Sequence, residues 1–342
     1  MLAAVLAVAA AVAASPSPTV AQLVGQKLVV RMDGTVPSAS LLGRARRGEI
    51  GGVFLRSHSF DSAAQLRSAT RALQGAAASG GRPRLLIAAD QEGGPVKGIS
   101  WIPPTLAPAQ ITSEASALAQ GRSTGSALWS LGVNTDLAPV VDVPASTGSF
   151  IYRQGRQWSF DVETTALLAG TFALGLGEGG AFATMKHFPG LGFATLNTDR
   201  FIVRIRATRA ELDPGLEPYR RAIAARVPLI MLSNAVYDAF DRFNAAGWSR
   251  RIGVRLLRDE LGFAGVTITD SLDGTANARG IPSDPLAVKA ARAGTDLILV
   301  TGSEAASRSV YLSVLRAARD GRVSAADLKA SNRRILALKR GV

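Results

Sequence analysis

The sequence predicts an α/β fold, a single-domain (β/α)8 barrel of the TIM type, and three observations carry that expectation. Short apolar runs rich in β-branched residues recur along the chain, amphipathic stretches lie between them, and polar residues collect where the runs end. The runs are 27–32, 52–55, 85–90, 135–141, 183–188, 229–233, 266–270 and 296–300. Amphipathic segments between them include 62–73, 113–128, 218–225 and 288–293, and 328–341 reads as a helix that would close the barrel. No linker separates the runs, so 15–342 reads as one domain. A bare barrel needs about 250 residues, and the 342 present leave room for insertions. An open doubly wound sheet is the competitor, but no glycine-rich dinucleotide turn follows an early run.

The polar residues make the third observation specific. Asp90 closes the third run, Asp142 follows the fourth, and Lys186 and His187 close the fifth. Asn234 follows the sixth and Asp270 closes the seventh. All strand C-termini of a parallel barrel open on one face, where active sites are built. Any one of these residues alone reads as a helix cap or turn former. Together they read as a site. Asp136 and Asp142 are spaced so that an unbroken strand would point both to one side, as structural polar groups at the barrel mouth.

Composition removes several function classes. The 47% hydrophobic content supports a large core and argues against a disordered spacer. The absence of cysteine excludes disulfides, thiolate metal sites and a cysteine nucleophile. Two histidines, His58 and His187, are too few for a polyhistidine metal centre. Net charge is +13, with arginine far outnumbering lysine. That balance suits an anionic partner, either nucleic acid, a membrane or an acidic wall polymer. The arginines, such as Arg44, Arg46, Arg47, Arg250, Arg251, Arg255 and Arg258, are spread through the chain, and aromatics make up only 6%. Without a basic stripe interleaved with aromatics, nucleic acid is not the expected partner.

Residues 1–14 form an Ala/Val/Leu run followed by Ser15-Pro16-Ser17-Pro18, which reads as the apolar region of a secretory signal. It is too short to span a bilayer, and no basic residue precedes it, the first being Lys27. The expected location is extracytoplasmic, secreted or held at the cell wall.

The most specific string is Lys186-His187-Phe188-Pro189-Gly190-Leu191-Gly192. A cation and an imidazole at a strand end offer donors to hydroxyls or to a developing oxyanion, and Pro and Gly then hold a sharp turn. This string resembles the Lys-His-Phe-Pro-Gly-His-Gly of glycoside hydrolase family 3, in its bacterial β-N-acetylhexosaminidases. Asp90-Gln91-Glu92-Gly93-Gly94 is similar to the family's sugar-binding Asp-Gln-Glu-Gly-Gly, and 136–143 to its Asn-Phe-Ala-Pro-Val-x-Asp-Val strand. Arg156, before Trp158 and Asp161, resembles a substrate-binding Arg. Thr269-Asp270-Ser271-Leu272 resembles the segment whose first Asp is the nucleophile, and Ala293-Gly294-Thr295-Asp296 resembles the lead into the last strand.

The resemblance implies a retaining glycosidase that needs neither cofactor nor metal. Asp270 would attack the anomeric carbon, and a second group about 5 Å away would protonate the leaving oxygen. Asp90, Arg156, Lys186 and His187 would hold the sugar. Asn234 stands where relatives often have His, which makes it a further candidate contact. Trp101 and Tyr237 lie just beyond run ends, where each can stack on a sugar ring or simply pack.

Three departures matter. The family loop after the Lys-His motif carries Asp-Ser-His, whose His is the acid/base; here Asn197-Thr198-Asp199 occupies those places. Asp199 is therefore the candidate acid/base, a role a carboxyl takes when burial or a negative neighbour raises its pKa. Adjacent Arg200 would push the other way. Pro95-Val96-Lys97-Gly98 replaces the family's Arg-Val-x-Arg, with Lys97 a partial substitute. Leu191 replaces the second His of the turn.

The leading expectation is a secreted β-N-acetylhexosaminidase acting on cell-wall or chitin-type glycan. Larger β-glucosidases of the family draw their acid/base from a second domain, for which 328–341 as a closing helix leaves no room. The alternatives are a catalytically impaired barrel that binds wall glycan, or β-glucosidase-type specificity. A basic surface protein comes last, resting on charge alone.

Overall fold

The computed structural model describes residues 18–56 and 59–341. The signal-like segment 1–14 and His58 lie outside them. Eight parallel strands form the central sheet: β1 (Leu28–Arg31), β2 (Gly52–Phe54), β3 (Leu86–Ala89), β4 (Thr135–Asp136), β5 (Phe182–Phe188), β6 (Leu229–Leu232), β7 (Val266–Thr269) and β8 (Ile298–Val300). Each pairs with the next from β1 to β7, and β8 pairs with β1. A parallel bridge between Ile268 and Leu297 closes the ring, with Leu297 N donating to Thr267 O at 2.8 Å. The expected barrel is the observed fold.

Strand alternation explains the layers. Val29 of β1 joins a cluster with Leu86, Ala88, Met231, Ile268 and Leu299, which fills the barrel interior. Its neighbours Leu28 and Val30 face the helices instead, in the outer layer. The last helix, Ala325–Lys339, sets Ile335 and Leu338 against the interior cluster from the N-terminal end of the strands. A fully buried side chain such as Ile335 contributes about 1.5–3 kcal/mol.

Local sequence sets the helix starts. Ser62 and Ser113 cap Ala63–Ser79 and Glu114–Ser130 by accepting from Gln65 N and Ser116 N. Helix Val162–Glu178 lay outside the sequence expectation, because three glycines interrupt its apolar pattern. Of these, Gly175 serves packing, since a Cβ there would sit 2.5 Å from Leu118 O, and two glycines of the facing helix Glu114–Ser130 do the same. A Cβ at Gly121 would sit 2.2 Å from Phe172 O, and one at Gly125 would sit 2.4 Å from Leu176 O, so only glycine lets the two helices approach this closely.

The run 135–141 is a strand only over Thr135–Asp136. Pro139 supplies no N–H for a ladder, and beyond it only an isolated bridge joins Val140 to Lys186. No helix of the described residues is long and apolar enough to cross a membrane.

Candidate active site

Alternation also decides which side chains reach the barrel mouth. Val266 and Ile268 face the interior, so Asp270 continues their row one pleat beyond β7. Asp90 continues the row of Leu86 and Ala88 in the same way. On β5, Ala183 and Met185 pack in the outer layer, which leaves the inner row to Lys186. A register irregularity between Met185 and Phe188 then offsets the alternation, and adjacent Lys186 and His187 both line the cavity.

That cavity, about 250 Å³, is lined by Asp90, Glu92, Arg156, Lys186, His187, Asp199 and Asp270, with Phe54, Met231 and Leu299 from the interior cluster. It is smaller than the roughly 300–1,000 Å³ of sites for drug-sized ligands and suits one saccharide unit. Among the described residues no cluster of acidic or histidine side chains could hold a metal ion.

Glu92 organises the cations. Its Oε1 lies 2.7 Å from Arg156 Nη2 and 2.6 Å from Lys186 Nζ, and its Oε2 accepts from Arg156 Nε at 2.8 Å. Burial works to raise this carboxyl, but the two cations outweigh it and bring it down to about 2. Lys186 also donates to Asp90 Oδ1 at 2.7 Å. Burial alone would lower the Lys186 ammonium; Asp90 and Glu92 hold it above its ordinary value instead.

Asp142 organises the imidazole. Its Oδ2 lies 2.7 Å from His187 Nδ1, while its Oδ1 accepts from the backbone N–H of His187 at 3.1 Å and of Leu191 at 2.7 Å. A carboxylate only accepts, so Nδ1 carries the proton and Nε2 remains for a ligand.

The two candidate reacting carboxyls meet here. Asp270 Oδ1 accepts from Ser271 N at 2.7 Å. Asp199 arrives on the loop after β5 and lines the same cavity, although the residue as a whole is exposed at the loop tip. Surrounding protein and then the charge of Asp270 push its carboxyl up to about 7, with His187 and Arg156 opposing. Arg200, expected to counter that rise, is exposed and takes no part in it.

Other sequence candidates fall elsewhere. Asn234 is one residue out of phase with Leu229 and Met231, so it follows the outward row. It is not among the cavity residues, and its Nδ2 donates to Ser271 O at 2.6 Å, tying the ends of β6 and β7 together. Trp101 is exposed and Lys97 half-buried, both outside the cavity. Tyr237 is fully buried and its hydroxyl donates to Gly190 O, so it packs. Asp136 and Asp142 are not aligned by one unbroken strand, because regular pairing stops at Asp136. Asp136 is fully buried, accepts from Gln91 N at 2.9 Å through Oδ1, and is raised to about 8 by burial.

Glu92 and Asp142 are the important side chains to which sequence reasoning gave no chemical role. Glu92 had a usable signal, since it stands two positions after Asp90 on the same parity. Asp142 had its place after the fourth run, but its role was hidden because its partner, His187, lies 45 residues away.

The model of "Glycosyl hydrolase family 3 N terminal domain" matches residues 22–338. The chain belongs to glycosyl hydrolase family 3. Among relatives it is 33% identical to an "Uncharacterized secreted glycosyl hydrolase" of Arthroderma benhamiae over 92% of both chains. It is 32% identical to a "Beta-hexosaminidase" of Alkalilimnicola ehrlichii over 80% of both. Among solved structures, the Beta-N-acetylhexosaminidase of Beutenbergia cavernae superposes with a TM-score of 0.88 at 30% identity, covering 95% of this chain and 99% of that one. A beta-N-acetylglucosaminidase from Paenibacillus sp. FPU-7 gives 0.88 at 29% identity, covering 95% of this chain and 63% of the other. The family 3 barrel is therefore that of a glycosidase, with its cavity at the strand C-termini as the fold requires.

Proposed function

We propose that this family 3 glycosidase is a retaining β-N-acetylhexosaminidase that removes terminal β-linked N-acetylglucosamine, with Asp270 as nucleophile and Asp199 as acid/base. The observation that carries the reading is the pairing of these two carboxyls on one cavity. The protein around its carboxyl and the charge of Asp270 raise Asp199 to about 7, so near neutrality it holds a proton to give.

Two displacements at the anomeric carbon make up the reaction. An Asp270 oxygen bonds to the anomeric carbon as the glycosidic C–O bond breaks, and the Asp199 proton passes to the leaving oxygen. Asp270 is then a neutral ester, so Asp199, now a carboxylate, loses the like charge that raised it. It takes a proton from water, the hydroxide oxygen bonds to the anomeric carbon, and the ester bond breaks. Both carboxyls return to their starting states with the sugar's configuration retained. Lys186, Asp90, Arg156 and His187 Nε2 present donors and acceptors to the ring hydroxyls. The pre-formed pairs with Glu92 and Asp142 hold these groups in place without reorganisation.

The test is chromophore release from an aryl β-N-acetylglucosaminide and an aryl β-glucoside, beside Asp270→Ala. Release from the acetamido sugar alone, abolished in the variant, supports the reading. Release from the glucoside alone moves it to β-glucosidase specificity. A folded protein that binds N-acetylglucosamine and releases nothing would instead be a glycan-binding barrel.

Export is part of the proposal, supported by the apolar 1–14 segment and by the relative described as secreted. The +13 charge supports electrostatic retention on an anionic wall polymer, where moderate salt would wash the protein off and indifference to salt would exclude it.

A further inference from the structure

The Asp199 loop is anchored at its base and held close at its tip. Phe150 N donates to Ala194 O at 2.7 Å, and Ala145 N donates to Gly192 O at 3.0 Å. The Arg153 guanidinium donates to Thr195 O. Nearer the tip, Asp199 N and Phe201 N both return to Asn197, on its Oδ1 and its carbonyl. The tip lies against helix Leu272–Ala278, the element that starts two residues after Asp270.

The contact falls on a glycine. A Cβ at Gly274 would lie 2.7 Å from Cβ, 2.8 Å from Cα and 2.8 Å from Oδ1 of Asp199. Gly274 has no left-handed backbone angle to require glycine, and glycine is a poor residue for a helix interior. Its one visible consequence is clearance for Asp199.

We infer that Gly274 is a positioning residue. By lacking a side chain it lets the loop seat Asp199 over the helix that follows Asp270, and so sets the spacing between the proton donor and the nucleophile. This rests on the assignment of Asp199 as acid/base. Any side chain at Gly274 moves the Asp199 backbone outward, away from Asp270 and from the leaving oxygen.

Leaving-group dependence tests it. A 2,4-dinitrophenyl β-N-acetylglucosaminide departs without protonation, whereas the phenyl glycoside needs a proton. Gly274→Ala is expected to lower kcat/KM on the phenyl glycoside by about 10–100-fold, the cost of misplacing a reacting group by about an ångström. The dinitrophenyl substrate should be little changed. The alkaline limb of kcat/KM on the phenyl glycoside should also move to lower pH, since Asp199 leaves the like charge of Asp270. Alanine favours the helix, so the melting temperature should hold or rise.

Equal losses on both substrates, no loss on either, or a lowered melting temperature with unchanged leaving-group dependence would overturn the inference. Asp199→Asn run alongside separates the two levels. If it shows no preference for the better leaving group, the acid/base assignment fails and Gly274 with it. If it shows that preference and Gly274→Ala does not, only the positioning role fails.

Discussion

The two ends of the barrel each bury a cluster of charges, and they handle them in opposite ways. At the N-terminal end, Asp296 sits just before β8 and accepts from Arg258 at 2.6 Å, Arg334 at 2.7 Å, Ser331 Oγ at 2.7 Å and Thr267 N at 3.0 Å. Lys27 completes the group through Thr295 O at 2.7 Å and Ser331 Oγ at 2.8 Å, and burial lowers its ammonium to about 8. Lys339 donates to Gln26 Oε1 and Gly51 O nearby, also at 2.7 Å, and is lowered to about 7. There cations outnumber the single carboxylate, and both Asp296 oxygens are satisfied internally.

At the C-terminal end carboxyls outnumber cations, and the surplus faces a cavity. Glu92 and Asp142 are saturated by protein donors, but Asp270 receives one backbone N–H and Asp199 brings its carboxyl to the same space. A saturated buried charge resists change and ties elements together; an unsaturated one beside a cavity awaits a ligand. The same physical chemistry therefore marks one end as structural and the other as reactive.

Substitutions can break or sharpen that contrast. The largest effect is expected from Asp270→Ala, with kcat/KM on an aryl β-N-acetylglucosaminide falling by about 10⁴-fold or more and the melting temperature unchanged. A stability loss without an activity loss would assign Asp270 to the scaffold. Asp296→Ala should do the reverse. It strands Arg258, Arg334 and Lys27 in the interior, costing about 3–5 kcal/mol in urea unfolding, while the folded fraction keeps its kcat.

Glu92→Gln blurs the contrast, since Glu92 lies at the reactive end but is bonded like Asp296. Its loss should weaken substrate binding by about 10-fold and stability by about 1–3 kcal/mol. Glu92 titrates near 2 when folded against an ordinary 4.5. The unfolded chain thus binds its proton first as pH falls, and the stability Glu92 contributes is present above about 4.5 and lost toward 2. Acid unfolding of Glu92→Gln should accordingly be less steep over that window.

The smallest change is Asp136→Asn. Folded Asp136 keeps its proton up to about 8, whereas the unfolded group releases it near 3.8. Its contribution is therefore complete below about 3.8 and lost as pH rises to about 8. Asn cannot ionise, so the variant should gain on wild type as pH rises through that window, most clearly at its upper end. Melting temperatures across the range would show it; parallel curves would mean that Asp136 is already ionised.

Much of this is legible in the sequence. Eight runs became eight strands because each is a short apolar, β-branched-rich stretch, and Asp90, Lys186 and Asp270 reached the mouth because each continues an inward row. Asn234 misled because it was judged by its place after a run, not by its phase within it. The unbroken strand assumed for Asp136 and Asp142 is absent, since regular pairing stops at Asp136, shortly before Pro139.

Within the chain itself lay whatever depends on neighbours a few positions apart: strand and helix periods, serine caps, inward and outward parity, and the family motifs. Tertiary structure decided what depends on burial and on partners far along the chain. Asp142 reaches His187, Glu92 gathers Arg156 and Lys186, and Asp199 meets Asp270 over a glycine at position 274. A carboxyl's proton affinity depends on what surrounds it in space, and only the closed barrel brings those surroundings together.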